Sequence, residues 1–267
     1  ATRDIAAAMY RYEQLQFDRF LYVVGAAQGV HFRQVFAVLQ KMGLPWADRC
    51  EHVPFGLIMG ISTRKGTLVF LEDILDKGRD LVREIMADRE GFSDEERERV
   101  AEQVSIGAIV FHDLSRGRIK DYPFDWDAIL RGLRPGEHGQ TGPYLQYTHV
   151  RLSSLEEKFV ERHGGLPQAG DGLLWEALRS SDANELLAIV ERYPAVVRDA
   201  ARDCEPALVS RFLLELAEAF NGFYSSGQRV ITDEVEASRA RIALVTAVRR
   251  TLGAGLGLLG VPTPARM

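Results

Sequence analysis

The feature that most constrains the fold is an alternation of strand-like and helix-like segments confined to the first ninety residues. Residues 20–24 are a short apolar run that ends at a glycine, which is typical of a buried parallel strand. Residues 31–42 carry apolar side chains at helical spacing and stop at Gly43. A second strand is predicted over residues 53–59. This alternation indicates an α/β fold with a parallel sheet.

The α/β region amounts to about half of a doubly wound domain. Two or three strands and two helices, the first of them predicted over residues 5–14, leave a sheet edge and apolar helix faces uncovered. We therefore expect either a partner that covers this edge or a longer protein of which the sequence is a part. Self-association through the uncovered half-sheet is a further expectation.

The middle of the sequence is predicted to be a helical linker. Apolar residues recur at helical spacing over residues 68–87. Ser93-Asp94-Glu95-Glu96 has the pattern of a capping box, which predicts the start of the next helix. Residues 131–142 contain five glycines or prolines and are the clearest loop.

The last part of the sequence, from residue 147 onward, is predicted to be an all-α bundle, with breaks that include Pro194 and Gly253. We expect two domains. Residues 1–135 form a partial Rossmann-type α/β domain with the helical linker, and residues 136–267 form the helical domain.

Composition and charge exclude several classes of protein. Apolar residues make up 46% of the 267 residues, so the chain can form a core. No apolar run reaches the roughly 18 residues of a membrane span, and we expect a cytoplasmic protein with no membrane contact. The cysteines and histidines have no metal-ligand spacing, so no metal site is predicted. A net charge of −5 argues mildly against a general nucleic-acid binder, and RNA binding would require arginines converging on one face.

Residues 60–67, Gly-Ile-Ser-Thr-Arg-Lys-Gly-Thr, are the stretch most suggestive of chemistry. A loop of small residues with adjacent Arg64 and Lys65, between a strand and a helix, suits phosphate binding. Backbone N–H groups and two cations would converge there on negative charge. A solvated turn with two surface charges explains the same residues equally well.

With its flanking segments, residues 52–56 and 68–75, this loop resembles the second ATP signature of the class I arginyl-tRNA synthetases, the KMSKS-type loop. The resemblance implies an arginine–tRNA ligase that uses Mg-bound ATP. In the family the loop stabilises the triphosphate while arginine is activated to arginyl-adenylate. That role is carried over to four residues here: Ser62, Thr63, Arg64 and Lys65.

The resemblance also covers binding of the arginine substrate. Residues 2–8 match the family segment whose aspartate pairs with the guanidinium, which implies this role for Asp4. An aspartate that caps a helix explains Asp4 equally well. Residues 22–28, followed by His31 and Phe32, match the strand-to-helix turn in which a glutamine touches arginine. Gln28 fills that position.

Two later segments, residues 121–127 and 141–151, are close to verbatim matches to family signatures. The second leads into an anticodon-binding domain of the DALR type, which implies tRNA(Arg) as a partner. Tyr144 and Tyr147 can place two rings on one helix face, where exposed rings stack unpaired bases. Packing of both rings in the core is the alternative. The resemblance implies tRNA-binding roles for Tyr144, Gln146, Tyr147, Arg151, Tyr224 and Met267.

A further set of arginines is a candidate stripe facing tRNA phosphates, and a solvated helix face explains it equally well. Its members are Arg239, Arg241, Arg249 and Arg250.

Two departures from the family bear on mechanism. The sequence contains no HIGH-type motif, whose histidines in the family help to hold the ATP phosphates, so we predict that the chain alone does not form arginyl-adenylate. The loop over residues 134–140 is longer than is usual in the family. It also carries Gln140 where aspartate is usual, and this change puts base readout into question.

Three interpretations remain open. The chain is the C-terminal half of an arginine–tRNA ligase that works with a HIGH-bearing N-terminal half. Alternatively, it is a catalytically silent, free-standing paralogue that binds tRNA(Arg) as a regulator or adaptor. The third interpretation is a structural adaptor whose half-sheet docks a protein partner.

Overall fold

The computed structural model describes residues 1–60, 70–87, 89–133, 139–168, 171–226 and 229–267. The chain divides into two compact units. The first comprises Ala1–Ser62 with Gly117–Phe124, and the second comprises Thr63–Arg116 with Asp125–Met267. The predicted combination of a small parallel sheet and an all-helical C-terminal part is confirmed.

The first unit begins with a helix–strand–helix–strand sequence, as predicted. Its elements are α1 (Thr2–Leu15), β1 (Phe20–Gly25), α2 (Gly29–Lys41) and β2 (Cys50–Phe55). The two strands are parallel and pair in register from Phe20 with Cys50 to Gly25 with Phe55. Gly43, just after α2, has φ of 73°, a left-handed conformation that explains why the helix stops there.

The strand predicted over residues 53–59 is interrupted at Gly56, so that prediction was wrong in its extent. A separate short strand, β3 (Ile58–Met59), follows and pairs in parallel with β4 (Tyr122–Pro123). A Cβ atom on Gly56 would lie 2.5 Å from the carbonyl carbon of Lys120, so only glycine fits. The Leu57 N–H donates to the Asp121 carboxylate at 2.6 Å, which gives this signature aspartate a structural role.

The prediction that β1 is buried was wrong for one of its faces. Tyr22 is buried in a core with Phe32 and Trp46, but Val23 is 60% exposed and Leu21 is 37% exposed. Within the described residues β1 pairs with β2 alone, so its second edge and one face lack a covering layer. The expectation of an uncovered half-sheet is thereby met.

The described residues of the second unit form helices and the loops that connect them. Its helices are α3 (Leu71–Ile85), α4 (Asp94–Leu114), α5 (Trp126–Ile129), α6 (Gly142–His163), α7 (Ser181–Asp203), α8 (Ala207–Ser225) and α9 (Val235–Leu258). The predicted capping box starts α4, because the Ser93 Oγ accepts from the Glu96 N–H at 3.2 Å and the Ser93 N–H donates back to the Glu96 carboxylate at 3.0 Å. None of the described helices is long and apolar enough to cross a membrane.

The helix breaks predicted at Pro194 and Gly253 were wrong, because both residues lie inside helices, α7 and α9. Pro194 is exposed, and on either side of it Tyr193 and Val196 pack against the bundle core and hold the helix. A Cβ atom on Gly253 would lie 3.1 Å from the His149 ring, so this glycine allows α6 to approach α9.

Helices α4 and α6 pack closely at two glycines, Gly107 and Gly142. A Cβ atom on Gly142 would lie 2.5 Å from the carbonyl oxygen of Gly107 and 2.9 Å from the Cβ of Phe111. One of these atoms belongs to the backbone and the other is a Cβ atom, so neither can move away by a side-chain rotation. This crossing fixes the start of α6, the helix that carries Tyr144, Tyr147 and Arg151.

Candidate functional site

Four side chains of α6 and α8 form a connected set, which we call the Asn221 cluster: Tyr144, Arg151, Asn221 and Tyr224. The Asn221 amide nitrogen donates to the Tyr144 phenol oxygen at 2.8 Å. The Arg151 guanidinium donates to the Asn221 amide oxygen at 3.3 Å and lies over the Tyr224 ring, 3.9 Å from its centroid. The structure thus brings three of the six predicted RNA-binding residues together, and the fourth member, Asn221, was not predicted.

The tyrosines differ in their exposure. Tyr144 is half-buried and packs against the bundle core, and burial raises the pKa of its phenol. Tyr147 is 51% exposed and Tyr224 is 37% exposed. Tyr144, Tyr147 and Arg151 are three and four residues apart, which places them along one face of α6. The interpretation of both α6 rings as core residues therefore fits Tyr144 in part and does not fit Tyr147.

Gln146 lies away from the surface, which does not favour its predicted contact with RNA. Its side chain is fully buried, and its amide donates to the Gln103 carbonyl at 3.0 Å and to the Pro262 carbonyl at 2.8 Å. Gln146 therefore ties the chain after α9 to α4 and α6. The amide donates to acceptors inside the protein because a buried donor without an acceptor lowers the stability of the fold.

The residues around Pro262, which accepts the hydrogen bond from Gln146, are also held by other contacts. Val261 is buried, and the Arg266 guanidinium lies over the Phe92 ring, 4.8 Å from its centroid. Met267 is partly exposed. The end of the chain is thus held against the segment before α4, which leaves Met267 accessible at the surface.

A cavity of about 600 Å³ lies beside Tyr144. Its lining includes His112 and Gln140, and the Gln140 amide donates to the Glu218 carboxylate at 2.5 Å. Gln140, whose position the resemblance marks as usually aspartate, thus pairs with an acid on α8. An aspartate at this position would instead place two carboxylates side by side, which is unfavourable. Residues 134–138 of the same loop lie outside the described residues.

A second candidate site, in the first unit, contains Asp4 and His31. The His31 Nε2 lies 2.9 Å from the Asp4 carboxylate, and this hydrogen bond is the main cause that lowers the Asp4 pKa. The carboxylate is therefore ionised at neutral pH and is 38% exposed, so it remains accessible to a cation. Gln28 is exposed in the turn before α2, three residues from His31. His31 was not predicted as a site residue, although it belongs to the matched segment that contains Gln28.

Comparison with known proteins matches both parts of the chain to one family. The model of the class I tRNA synthetase (R) catalytic domain matches residues 1–126, and the model of the DALR anticodon binding domain matches residues 145–267. The chain belongs to the arginyl-tRNA synthetase family. Arginine–tRNA ligases of Halothermothrix orenii and Clostridioides difficile are 40% and 39% identical to it over 270 residues. Each match covers 100% of this chain but 45% of the relative, so the chain spans about half the length of these curated relatives.

Solved arginyl-tRNA synthetases share the fold. The enzyme of Thermus thermophilus matches 93% of this chain and 41% of its own, with 26% identity and a TM-score of 0.79. The enzyme of Plasmodium falciparum matches 99% of this chain and 44% of its own, with 22% identity and a TM-score of 0.80.

The remaining predicted synthetase residues lie outside the described residues. Ser62, Thr63, Arg64 and Lys65 all fall in the undescribed segment 61–69, so their roles in binding ATP stay predictions. Among the described residues, no group of three or more histidine, cysteine, aspartate or glutamate side chains is arranged to hold a metal ion.

Three of the four arginines in the candidate phosphate stripe are engaged in contacts inside the protein. Arg249 pairs with the nearly buried Glu156 at 2.7 Å, and Arg239 pairs with Asp171 at 2.7 Å. Arg241 donates to the carbonyl of Arg229 at 3.0 Å. These arginines therefore stabilise contacts of α9, and the structure gives no support to the stripe.

His112, which lines the cavity, is expected to make stability depend on pH. Burial first, and then the charge of Arg116, lowers its pKa to about 4, whereas an unfolded histidine titrates near 6.5. As pH falls below 6.5, His112 binds a proton in the unfolded chain but stays neutral in the folded chain. The free energy of unfolding therefore decreases. Between pH 7.5 and pH 5, His112 is expected to lower the free energy of unfolding by about 2 kcal/mol.

Urea denaturation at several pH values across this range measures the free energy of unfolding, with the His112→Gln variant as control. If the free energy of unfolding changed equally with pH in the wild-type protein and the variant, the lowered pKa of His112 would be contradicted.

Proposed function

We propose that this chain is the tRNA(Arg)-binding C-terminal part of an arginine–tRNA ligase. It contributes to the ATP-dependent attachment of arginine to tRNA only together with a HIGH-bearing half. The observation that carries the proposal is the Asn221 cluster beside the exposed Tyr147 ring, in a region matched by the DALR anticodon binding domain. This arrangement combines flat rings with a held cation, the two features that single-stranded RNA recognition requires.

In the proposed RNA complex, unpaired bases stack on Tyr147 and Tyr224. Arg151, stacked on the Tyr224 ring, presents its remaining N–H groups to a phosphate or a base edge. Met267, partly exposed at the end of the chain, adds an apolar contact. Because the net charge of the chain is −5, affinity depends on these local contacts more than on a general field.

In the proposed catalytic contribution, Asp4 pairs with the guanidinium of the substrate arginine. The ionised carboxylate, held by His31, suits a planar cation, and Gln28 lies on the turn that leads into the helix of His31. Ser62, Thr63, Arg64 and Lys65 would hold the phosphates of Mg-bound ATP, which supplies the energy for activating arginine. The magnesium ion would arrive with the nucleotide.

The uncovered face of the half-sheet supports the need for a second half. Val23 on β1 is 60% exposed, and Leu57, which follows β2, is 64% exposed. We assign the partial catalytic domain to residues 1–135 and the anticodon-binding domain to residues 136–267, in a cytoplasmic enzyme. A HIGH-bearing half, or a second copy of the chain, would cover the apolar face.

The purified chain alone is expected to show arginine-dependent ATP–pyrophosphate exchange at background. It lacks the HIGH-type residues that the family uses to hold the ATP phosphates, and removing even one transition-state donor typically costs about 10²–10³ in rate. A full-length relative assayed in parallel is the positive control. Robust exchange by the chain itself would contradict the prediction.

Reconstitution tests the proposed function as a whole. The chain is mixed with the separately expressed HIGH-bearing half of a relative, and arginylation of tRNA(Arg) is followed, with each half alone as control. Arginylation by the mixture alone supports the ligase assignment. If the chain binds tRNA(Arg) but never restores arginylation, the silent RNA-binding paralogue is the better account.

A further inference from the structure

Asn221 occupies the centre of the cluster and makes both of its polar links. Its two amide atoms serve different partners on α6, the phenol of Tyr144 and the guanidinium of Arg151. Arginine has donors only, so the amide oxygen must face Arg151. The amide nitrogen must then face Tyr144, which makes the phenol oxygen the acceptor of that bond.

This arrangement makes the Tyr144 hydroxyl an acceptor toward Asn221. Since the phenol oxygen accepts from Asn221, its own proton is directed elsewhere, and the hydroxyl is left as a donor. The other end of the network is equally constrained. Arg151 is held between the Asn221 oxygen and the Tyr224 ring, so its guanidinium is fixed before any ligand arrives. Fixing a long side chain in advance removes an entropy cost from binding.

We propose that Asn221 is a positioning residue for RNA recognition by this domain. It leaves the Tyr144 hydroxyl as a donor and holds the Arg151 guanidinium over the Tyr224 ring, so that both meet the acceptor atoms of an unpaired nucleotide. The inference rests on the proposed function, and it adds a residue that itself contacts only protein. Its effect on RNA is exerted through Tyr144 and Arg151.

The test measures binding of an RNA stem-loop with the sequence of the tRNA(Arg) anticodon arm, carrying 2-aminopurine in the loop. Asn221→Ala is expected to weaken binding about tenfold, as the loss of bonds to a phenol and a cation would. The quenching of 2-aminopurine at saturating protein, which reports stacking, is expected to fall as well. The matched control is Asn184→Ala, which removes the other asparagine of the chain, exposed on α7. It should change neither quantity.

A double-mutant cycle separates positioning from a merely structural role. In a Tyr144→Phe, Arg151→Ala background, Asn221→Ala is expected to change affinity less than twofold, because the groups it positions are gone. A full tenfold effect in that background, or unchanged binding in the single variant, would overturn the proposal.

Two other outcomes are possible: the Asn221→Ala variant does not fold, or the wild-type chain does not bind RNA. If Asn221→Ala does not fold, Tyr144→Phe keeps the ring and removes the oxygen, and unchanged binding and quenching by that variant would overturn the role. If the wild-type chain does not bind the stem-loop at all, the proposed function itself fails and this inference fails with it.

Discussion

Gly142→Ala is expected to lower the free energy of unfolding of the helical unit by about 3 kcal/mol, at the upper end of the usual cost of overpacking. The added methyl group would lie 2.5 Å from the Gly107 carbonyl oxygen and 2.9 Å from the Phe111 Cβ. Neither atom belongs to a flexible side-chain end, so α4 and α6 must move apart. Urea denaturation followed by ellipticity at 222 nm measures the change.

Gly222→Ala is the matched control for this substitution. Gly222 is also helical, on α8, but a Cβ atom there meets no heavy atom within 4 Å. Alanine should therefore raise stability by about 0.5–1 kcal/mol through its higher helix propensity. If both substitutions changed stability by similar amounts, the close crossing of α4 and α6 would be contradicted.

Tyr147→Ala is expected to weaken binding of the tRNA(Arg) anticodon stem-loop by about 1–3 kcal/mol, the usual contribution of one base–aromatic stack. The ring is 51% exposed on the α6 face that also carries Tyr144 and Arg151. Its loss should cost little stability, because an exposed ring contributes little to the core. Fluorescence anisotropy of the labelled stem-loop gives the dissociation constant.

Tyr10→Ala, which removes a 63% exposed ring on α1, controls for the general loss of a surface tyrosine. It should leave binding of the stem-loop unchanged. An unchanged dissociation constant for a folded Tyr147→Ala protein would remove this ring from the RNA-binding surface.

Local patterns in the sequence predicted the elements whose causes are local. The capping box at Ser93 and the glycine stop after α2 depend on residues within a few positions of one another. The breaks predicted at Pro194 and Gly253 were wrong because packing against distant helices overrides local propensity. The exposed face of β1 followed from the shortage of strands in the sequence, although the apolar run itself suggested burial.

The candidate site was predictable only where the resemblance supplied it. The motif around Tyr144 placed Gln146 among RNA contacts, but its amide bonds to Gln103 and Pro262, which are 43 and 116 residues away in the sequence. The bond from Asn221 to Tyr144 likewise spans 77 residues. Spacing along one helix cannot show such partners, because they depend on how helices pack. His31 beside Asp4, 27 residues apart, is a further case.

The most direct test of the proposal that this chain binds tRNA(Arg) through its anticodon is fluorescence anisotropy of labelled tRNA(Arg) at two salt concentrations. A transcript with only its middle anticodon base changed is measured in parallel. We expect tight binding that the base change abolishes at both salt concentrations. Weak binding that is equal for the two transcripts and disappears as salt rises would show phosphate attraction alone, and would contradict the proposal.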